Sequence, residues 1–577
     1  MEVAACLPGP GVYGFGMKQS GIPPREDSGT AAGAGASRGE RDSAFAALSN
    51  PAFRWLWVAN VVSGIGSMMH ATAASWLLVT EAGAPTLVTL LQVMVSLPVF
   101  LFALPAGALA DLLDKRRVVL GAQVGGFVVA AVLTGLSMAG MAHAMVLLGS
   151  AFALGVASAF GFPAWQALLP ELVSKPQWPS AITLGSIAVN LARALGPVAG
   201  GLLIGFAPAS VVFGINALSF LLVALVVQRT RAEIPVPAGD SEPFFSAMAA
   251  AVRHIRYSPA IRRVLWGQAL FIFLAIAPVA LLPLIARHLG LTGLAYGALS
   301  GVYGLGGILT AFLLLPLLRQ RWPLDRLFAV SGLVSLLAAA GLAMAESLWA
   351  IVPLLFLAGS SWMASMSQFT IVGQASFPHW VRARASAVQL MVSQGAFALG
   401  ALAWGQLTQH GSLHLALAVA AAGLALAVLA GWYLPLEKML PTDLTPHAHV
   451  PQHAGFVREP EAGEGPVLVE LAYQIDPADE PAFFQAMQAL RGVRLRDGAF
   501  RWGLYRDLVR AGVIHEVFLV EDWGAHLRQH ARFTVESHHI EQAALQFHRG
   551  QSPPSVTHCL RVNLRESAPA SRMEATT

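Results

Sequence analysis

Arg193 is the one formal charge that falls inside a long apolar stretch, residues 178–205, of this 577-residue chain. Burying a charge among apolar helices costs at least a few kcal/mol unless it faces a water-filled cavity or a polar partner. We therefore expect Arg193 to contact an anionic or polar small molecule, or to belong to a gating network. The alternative is that its side chain snorkels to the aqueous side, since it lies roughly midway along the stretch.

His70 is the histidine placed deepest in an apolar stretch, and an imidazole there could titrate and pass protons. A lone helix histidine is more often a satisfied structural residue, so both interpretations stay open. Asn190, Gln92 and Gln374 are further polar residues that could line a cavity or pack between helices. No Asp or Glu falls clearly inside a stretch, which weakens the case for a central proton-carrying carboxylate.

The residues around Arg193 are rich in glycine, and residues 190–201 read NLARALGPVAGG. Gly196, Gly200 and Gly201 let a neighbouring helix approach closely. Pro197 removes a backbone hydrogen bond and kinks its helix. These four residues are predicted to act in conformational gating, and plain helix packing is the alternative.

A second motif, GALADLLDKRR at 107–117, connects two apolar stretches. Gly107 permits close helix contact, and Asp111 can hydrogen-bond or form an ion pair at a helix end. Lys115 and Arg116 suit an anionic membrane surface. We predict a gating role for these four residues, and an ordinary basic loop between two membrane helices is the alternative.

The elements that would position these residues are membrane helices. Hydrophobic residues make up 55% of the chain and charged residues 12%, against about 25% charged residues in soluble domains. Twelve apolar spans follow one another, each long enough to cross a hydrocarbon core of ~30 Å. The predicted spans are 54–80, 86–110, 117–139, 143–169, 178–205, 209–228, 263–287, 294–318, 325–345, 349–377, 384–408 and 413–434.

Basic residues alternate between the two sides of these spans, fifteen on one side against Arg287 alone on the other. Because Lys and Arg stay in the cytosol, both chain termini are predicted to be cytosolic in a multi-pass protein of the cytoplasmic (inner) membrane. The basic charge then belongs to membrane loops, and no nucleic-acid partner is expected. The fifteen are Lys115, Arg116, Arg117, Lys175, Arg229, Arg231, Arg253, Arg256, Arg262, Arg263, Arg319, Arg321, Arg326, Arg382 and Arg384.

The chain divides into a transporter-like core and a soluble tail. The predicted segments are a disordered tail (1–49), a six-helix bundle (50–228), a cytosolic central loop (229–262), a second six-helix bundle (263–434), a linker (435–465), a cytosolic α+β domain (466–565) and a disordered tail (566–577). A basic amphipathic stretch in the central loop, 244–263, is predicted to lie on the membrane surface.

An internal repeat supports the division into two bundles, with chance similarity as the alternative. Residues 165–170, WQALLP, resemble residues 373–378, GQASFP, and Gly201 then corresponds to Gly405. In the tail, strand patterns at 467–475, 500–507, 514–520 and 556–564 alternate with helical patterns at 480–490, 523–533 and 535–548. The order β-α-β-β-α-β predicts a ferredoxin-like fold.

Several of these motifs resemble those of the major facilitator superfamily. The 107–117 motif matches its loop 2–3 motif except at Leu112 and Asp114, and residues 196–201 resemble the antiporter motif of drug-efflux members. Residues 50–57 and 63–66 resemble the transmembrane secretion effector branch, whose better-known members are enterobactin exporters. The tail resembles antibiotic-biosynthesis-monooxygenase domains at Val469-Glu470, at residues 521–523, and at His526 and His530.

The resemblance implies a secondary transporter that exports small amphipathic molecules of the siderophore or drug class by alternating access, with proton antiport. Its expected partners are a small-molecule substrate, protons and the lipid bilayer, with a homodimer through the C-terminal domain. No GxxxxGK[ST] motif is present and the two cysteines are far apart in sequence, so no cofactor and no metal site are expected.

Two other functions stay open at this point. One is an importer of a small metabolite. The other is a membrane-tethered enzyme or sensor acting through its tail, where His526, His530, His538 and His539 could supply a base. No complete catalytic constellation is visible, so we expect the chain not to be an enzyme.

Overall fold

A computed structural model describes residues 45–230, 244–378, 380–433, 443–447, 458 and 460–562. Three predicted segments lie wholly or partly outside the described residues. They are the tail at 566–577, residues 1–44 of the tail predicted at 1–49, and most of the linker predicted at 435–465. Ala46–Ser49 form a short 3₁₀ turn, which packs against the first bundle because the Ala47 amide donates to Ser180 Oγ at 3.0 Å. The predicted disorder therefore does not extend to these four residues.

The described part of the chain contains twelve helices long and apolar enough to cross a membrane, which confirms the predicted helical fold. Asn50 caps the first one by accepting hydrogen bonds from the amides of Ala52 and Phe53. The twelve spans are Pro51–Leu78, Ala84–Leu112, Lys115–Met138, Ala144–Glu171, Trp178–Phe206, Ala209–Arg229, Pro259–His288, Gly293–Arg319, Leu324–Leu342, Leu348–Ser376, Arg382–His410 and Leu413–Tyr433.

Two spans are irregular in ways that hydropathy does not predict. Span 7 is divided into three helical pieces, and Pro278 and Pro283 stand at the starts of the second and third. A proline has no amide hydrogen, so it fits the first turn of a helix and interrupts a continuous one. Span 8 contains a π-helical turn at Thr310–Leu314, a feature that locally widens a helix.

The two bundles meet mainly where span 5 crosses span 8 and where span 2 crosses span 11. At the first crossing, a Cβ added to Gly297 would lie 2.5 Å from the Pro197 carbonyl oxygen and 2.6 Å from Gly201 Cα. At the second, a Cβ added to Gly405 would overlap Thr89. Both contacts lie at the ends of the spans that are remote from the chain termini. Glycine therefore allows the two bundles to pack closely at that end.

The tail folds as a small α+β domain. Its elements are β1 (Val467–Gln474), α1 (Glu480–Asp497), β2 (Arg501–Arg506), β3 (Val513–Val520), α2 (Trp523–Ala531), α3 (Val535–Leu545) and β4 (Ser555–Leu560). The strands pair antiparallel in the order β2-β3-β1-β4, with Val469 of β1 opposite Phe518 and His558. This is the strand order of a split βαβ fold.

The tail domain packs against a helix of the central loop, Phe244–Tyr257, which we call the linker helix. Tyr257 packs into a tail-domain cluster that includes Val469 and Phe518. The Arg532 guanidinium lies 4.1 Å from the ring centre of Trp380, which precedes span 11, and His254 meets the same indole at 5.3 Å. The prediction of a surface helix on lipid is therefore corrected: described residues of its apolar face are covered by protein.

We expect Gly297→Val to force spans 5 and 8 apart, because the new side chain has no room beside Pro197 and Gly201. Overpacking of this kind costs about 1–3 kcal/mol. Thermal unfolding of the purified protein in detergent should show the loss.

Gly149→Val is the matched control, since a Cβ added at Gly149 meets nothing within 4 Å. Equal melting temperatures for the two variants would contradict the tight crossing.

Docking of the tail domain should weaken in acid. Burial, together with the positive charges of Arg496 and Arg532, lowers the pKa of His254 to about 3. When the tail domain is undocked, the pKa of His254 returns to near 6.5. Between pH 3 and pH 6.5, His254 therefore binds more protons in the undocked state than in the docked state. Docking should therefore weaken as pH falls below 6.5, by at most about tenfold per pH unit. Amide hydrogen exchange of the linker helix, compared at pH 7 and pH 5, measures this.

His254→Asn removes the titrating group and should make that exchange protection independent of pH in the same range. A pH response that persists unchanged in this variant would assign it to another group.

Candidate functional site

A cavity of about 340 Å³ lies inside the first bundle, on the side of the chain termini. Its wall mixes amides, hydroxyls and aromatic rings with one cation, which is unusual for the interior of a membrane helix bundle. The polar and aromatic residues of the wall are Asn60, Ser63, Ser67, Gln123, Ser158, Phe162, Trp165, Gln166, Arg193 and Phe220.

Arg193 brings the charge to this cavity and is solvent-accessible there. Its backbone lies at the crossing of the two bundles, since a Cβ added to Gly304 of span 8 would be 2.8 Å from the Arg193 carbonyl oxygen. Tyr303, also in span 8, is close enough to interact electrostatically with the guanidinium. The cation therefore stands between the cavity and the opposite bundle.

Gln123 adds a second polar group to the cavity. Its amide oxygen is buried and has no hydrogen-bond partner among the described residues. A buried acceptor without a partner is unfavourable by about 1–3 kcal/mol. A ligand or a water that donates a hydrogen bond would relieve that penalty.

The glycines predicted for gating contact two different helices. An added Cβ would overlap Met68 at Gly196 and would lie 2.9 Å from Met69 Cα at Gly200, both in span 1. Gly201 instead faces Gly297 of span 8. Span 5 is thus packed tightly on span 1 within its own bundle and on span 8 across the bundle boundary.

The 107–117 motif connects three spans of the first bundle. Lys115 Nζ pairs with Glu171 at the end of span 4, and Arg116 Nε donates to the Val227 carbonyl of span 6 at 3.0 Å. A Cβ added to Gly107 would meet nothing within 4 Å. The side chain of Asp111 lies outside the described residues. The basic residues of the motif therefore hold helix ends together.

Other predicted site residues lie away from the cavity wall. His70 is buried between spans 1 and 6, where Asn216 Nδ2 is 3.2 Å from its Nδ1 and Phe213 packs on its ring. Asn190 donates to the Ser186 carbonyl of its own helix at 2.9 Å. Gln92 and Gln374 are not among the lining residues. The structure brings Arg193 alone of this group to the cavity.

Sequence reasoning did not select Gln123, Gln166 or Gly297 as site residues. The two glutamines lie within predicted apolar spans, so their polarity was the available signal. Gly297 belongs to a series of glycines at 293, 297 and 301, the spacing that lets membrane helices pack closely.

The tail domain has a buried ionic centre of its own. Arg494 contacts Glu516 at 3.2 Å and Glu541 at 2.9 Å, while the Tyr473 hydroxyl donates to Glu516 at 3.0 Å. Burial alone lowers the pKa of Arg494, but the two carboxylates outweigh this and raise it above its usual range. The cation is therefore paired within the domain core.

Of the tail histidines, His526 and His530 touch, whereas His538 stacks on His447.

Curated relatives of this chain are membrane transporters. It is 26% identical over 28% of its length to the staphyloferrin A transporter of Staphylococcus aureus (strain NCTC 8325 / PS 47). It is 25% identical over 56% of its length to the enterobactin exporter EntS of Salmonella typhi. The matches span 41% of the first relative and 78% of the second.

Solved structures with the same fold are also transporters. A mutant of the nucleoside transporter NupG superposes with a TM-score of 0.55 at 13% identity, over 66% of this chain and 99% of that one. A bacterial homologue of the human lysosomal transporter Spinster, inward-facing and unoccupied, superposes with a TM-score of 0.54 at 15% identity, over 70% and 98%. The transmembrane secretion effector profile matches residues 42–566, and the chain belongs to that family of membrane transporters.

Proposed function

We propose that this protein exports small amphipathic molecules of the siderophore or drug class across the cytoplasmic membrane, by alternating access and in exchange for protons. The single observation that carries the proposal is the cavity around Arg193. It combines a cation, amides and aromatic rings inside a transporter fold. Relatives named as a siderophore transporter and a siderophore exporter support the substrate class and the direction.

The cavity wall suits a molecule with both polar and apolar parts. Arg193 can donate to anionic or carbonyl oxygens, and the Gln123 amide oxygen can accept a hydrogen bond from a hydroxyl or amide. Trp165 and Phe162 offer aromatic surface to the rest of the molecule. A volume of about 340 Å³ suits one small molecule.

Alternating access would use the asymmetry between the two ends of the bundle. The glycine crossings close the end remote from the termini, and the cavity lies toward the other end. We propose that both termini are cytosolic, so this state would load substrate from the cytosol. Rocking of the bundles would then separate Gly201 from Gly297 and release substrate on the far side.

Proton exchange as the driving reaction is supported by the resemblance of residues 196–201 to the antiporter motif. The described cavity wall contains no carboxylate or histidine, so we do not assign a proton-carrying residue there. A homodimer through the tail domain stays a prediction.

Arg193→Ala should reduce export of anionic siderophores by tenfold or more in cells, because removing a charged hydrogen-bond donor loses about 1.5–3 kcal/mol. Arg193→Lys should retain part of the activity, since it keeps the charge but not the planar fork of donors. Efflux from cells at equal protein level, with and without a proton uncoupler, is the measurement.

Arg321→Ala is the matched control, because Arg321 is exposed between spans 8 and 9 and absent from the cavity wall. Uncoupler-insensitive efflux would contradict proton exchange. Full efflux by Arg193→Ala would contradict the assigned cavity.

Gln123→Leu should separate stability from transport. Replacing the unpartnered amide by an apolar group should raise the stability of the substrate-free protein by up to about 1–3 kcal/mol. The same change removes an acceptor for substrate, so the KM for export should rise. The melting temperature tests the predicted gain in stability, and efflux measured over a range of substrate concentrations tests the predicted rise in KM. A lower melting temperature for Gln123→Leu would contradict the buried, unpartnered placement of the amide.

A further inference from the structure

A second cavity of about 340 Å³ lies in the second bundle, between spans 8, 9 and 10. Its wall is mostly aliphatic and includes Leu313, Val334 and Leu357. Leu313 is 61% exposed and Leu357 is 39% exposed, so the cavity opens on the outer surface of the bundle. We call it the outer groove. Because all three spans belong to one bundle, the outer groove is separate from the cavity around Arg193.

The π-helical turn of span 8 forms one side of the outer groove. Thr310 and Leu314, the first and last residues of that turn, both line it. Such a turn locally widens a helix and is common at functional sites. On the other side, spans 9 and 10 are held together by paired serine hydroxyls, Ser331 with Ser365 at 2.9 Å and Ser335 with Ser361 at 2.8 Å. The outer groove is therefore part of the packed bundle.

Two arginines stand at the end of the outer groove nearer the chain termini. Arg319 follows the lining residue Leu315 by four positions on span 8. Arg326 precedes the lining residue Val330 by four positions on span 9. Residues four apart share one face of a helix, so each arginine lies one turn beyond the groove wall. Both are exposed, and Arg319 Nη2 donates to Ser367 Oγ of span 10 at 2.8 Å.

Other residues at this end suit a lipid headgroup. The Arg326 guanidinium lies 5.8 Å from the ring centre of Trp322, and tryptophan is typical of the membrane–water interface. Gln368 follows Ser367 and lines the groove, and its buried amide oxygen has no hydrogen-bond partner among the described residues. Residues 315–330 contain three arginines and one aspartate, so the local charge is positive.

We propose that the outer groove binds one anionic phospholipid, with an acyl chain between spans 8, 9 and 10 and its phosphate at Arg319 and Arg326. The guanidinium N–H groups can donate to phosphate oxygens. Basic pockets between membrane helices are suited to acidic headgroups, and the surrounding bilayer supplies the chain. A headgroup with a hydroxyl, as in phosphatidylglycerol, would also provide a donor for Gln368.

Native mass spectrometry of the purified full-length protein, stripped of lipid in detergent, tests the proposal with phosphatidylglycerol as the probe. One phosphatidylglycerol per chain should stay bound. It should outcompete phosphatidylcholine with the same acyl chains, because phosphatidylcholine has no net charge. Glycerol phosphate carries the anionic group without the chains, so it should not displace the lipid at equal concentration.

Arg319→Ala and Arg326→Ala should each weaken phosphatidylglycerol binding about fivefold, which is the usual contribution of one basic residue near an anionic membrane surface. Arg321→Ala is the matched control. Arg321 is an exposed arginine of the same connection but lies outside both helices, so this variant should bind as the unchanged protein does.

Ala364→Leu tests the apolar part of the site, because Ala364 lines the outer groove and a larger side chain would fill it. Phosphatidylglycerol binding should weaken although both arginines are kept. Ala422→Leu makes the same change at an exposed position of span 12, outside the groove, and should leave binding unchanged.

Equal binding of phosphatidylcholine would overturn the proposal, and so would unchanged binding in both Arg319→Ala and Ala364→Leu. A loss in Arg321→Ala as large as that in Arg319→Ala would assign the effect to the general charge of the connection and would also overturn it. Altered siderophore efflux by Ala364→Leu with unchanged lipid binding would make the groove a substrate path instead. Lipid binding is measured on the purified protein, so its failure is distinguishable from failure of the proposed export.

Discussion

The close approach of two backbones at Gly201 and Gly297 is the contact on which the rest of the transporter depends. Lipid supplies no hydrophobic force between helices, so they associate through close packing and polar contacts. Glycine allows that packing here because a side chain on either residue would occupy the space of the other helix. The contact closes one end of the boundary between the bundles and leaves the cavity toward the other.

The same crossing explains how a cation is tolerated within the membrane region. Arg193 lies a few residues before the glycines on span 5, where the bundles separate and the cavity begins. Its side chain therefore faces the cavity. Amides from spans 1, 3 and 4 surround the same space, so polar groups that would be unfavourable against lipid face one another.

Much of the architecture could be predicted because the bilayer imposes a simple rule. A spanning segment must form its backbone hydrogen bonds within itself, which favours a helix. It must also be apolar over its length, and hydropathy detects this property directly. The breaks at Pro278 and Pro283 depend on how span 7 packs, and the same apolar composition would also suit a straight helix. Arg193 lines a cavity, whereas its role as a substrate-contacting or gating residue stays a prediction.

Contacts between distant parts of the chain were beyond such rules. An amphipathic helix needs a partner for its apolar face, but its pattern does not distinguish lipid from protein. The linker helix was assigned to the membrane for that reason, and the tail domain covers it instead. Likewise, the spacing of His526 and His530 was visible on one helix, whereas the contact of His558 with His526 depends on the pairing of β4 with β1.

The position of the linker helix also has a consequence for how the chain is made. Tyr257 leaves the ribosome about 200 residues before the strand containing Val469, which helps to enclose it. Until the tail is synthesised, the side of the helix that the tail later covers can lie on the membrane surface. The tail domain must then displace lipid from a helix that was made earlier, so docking of the tail follows insertion of the first bundle.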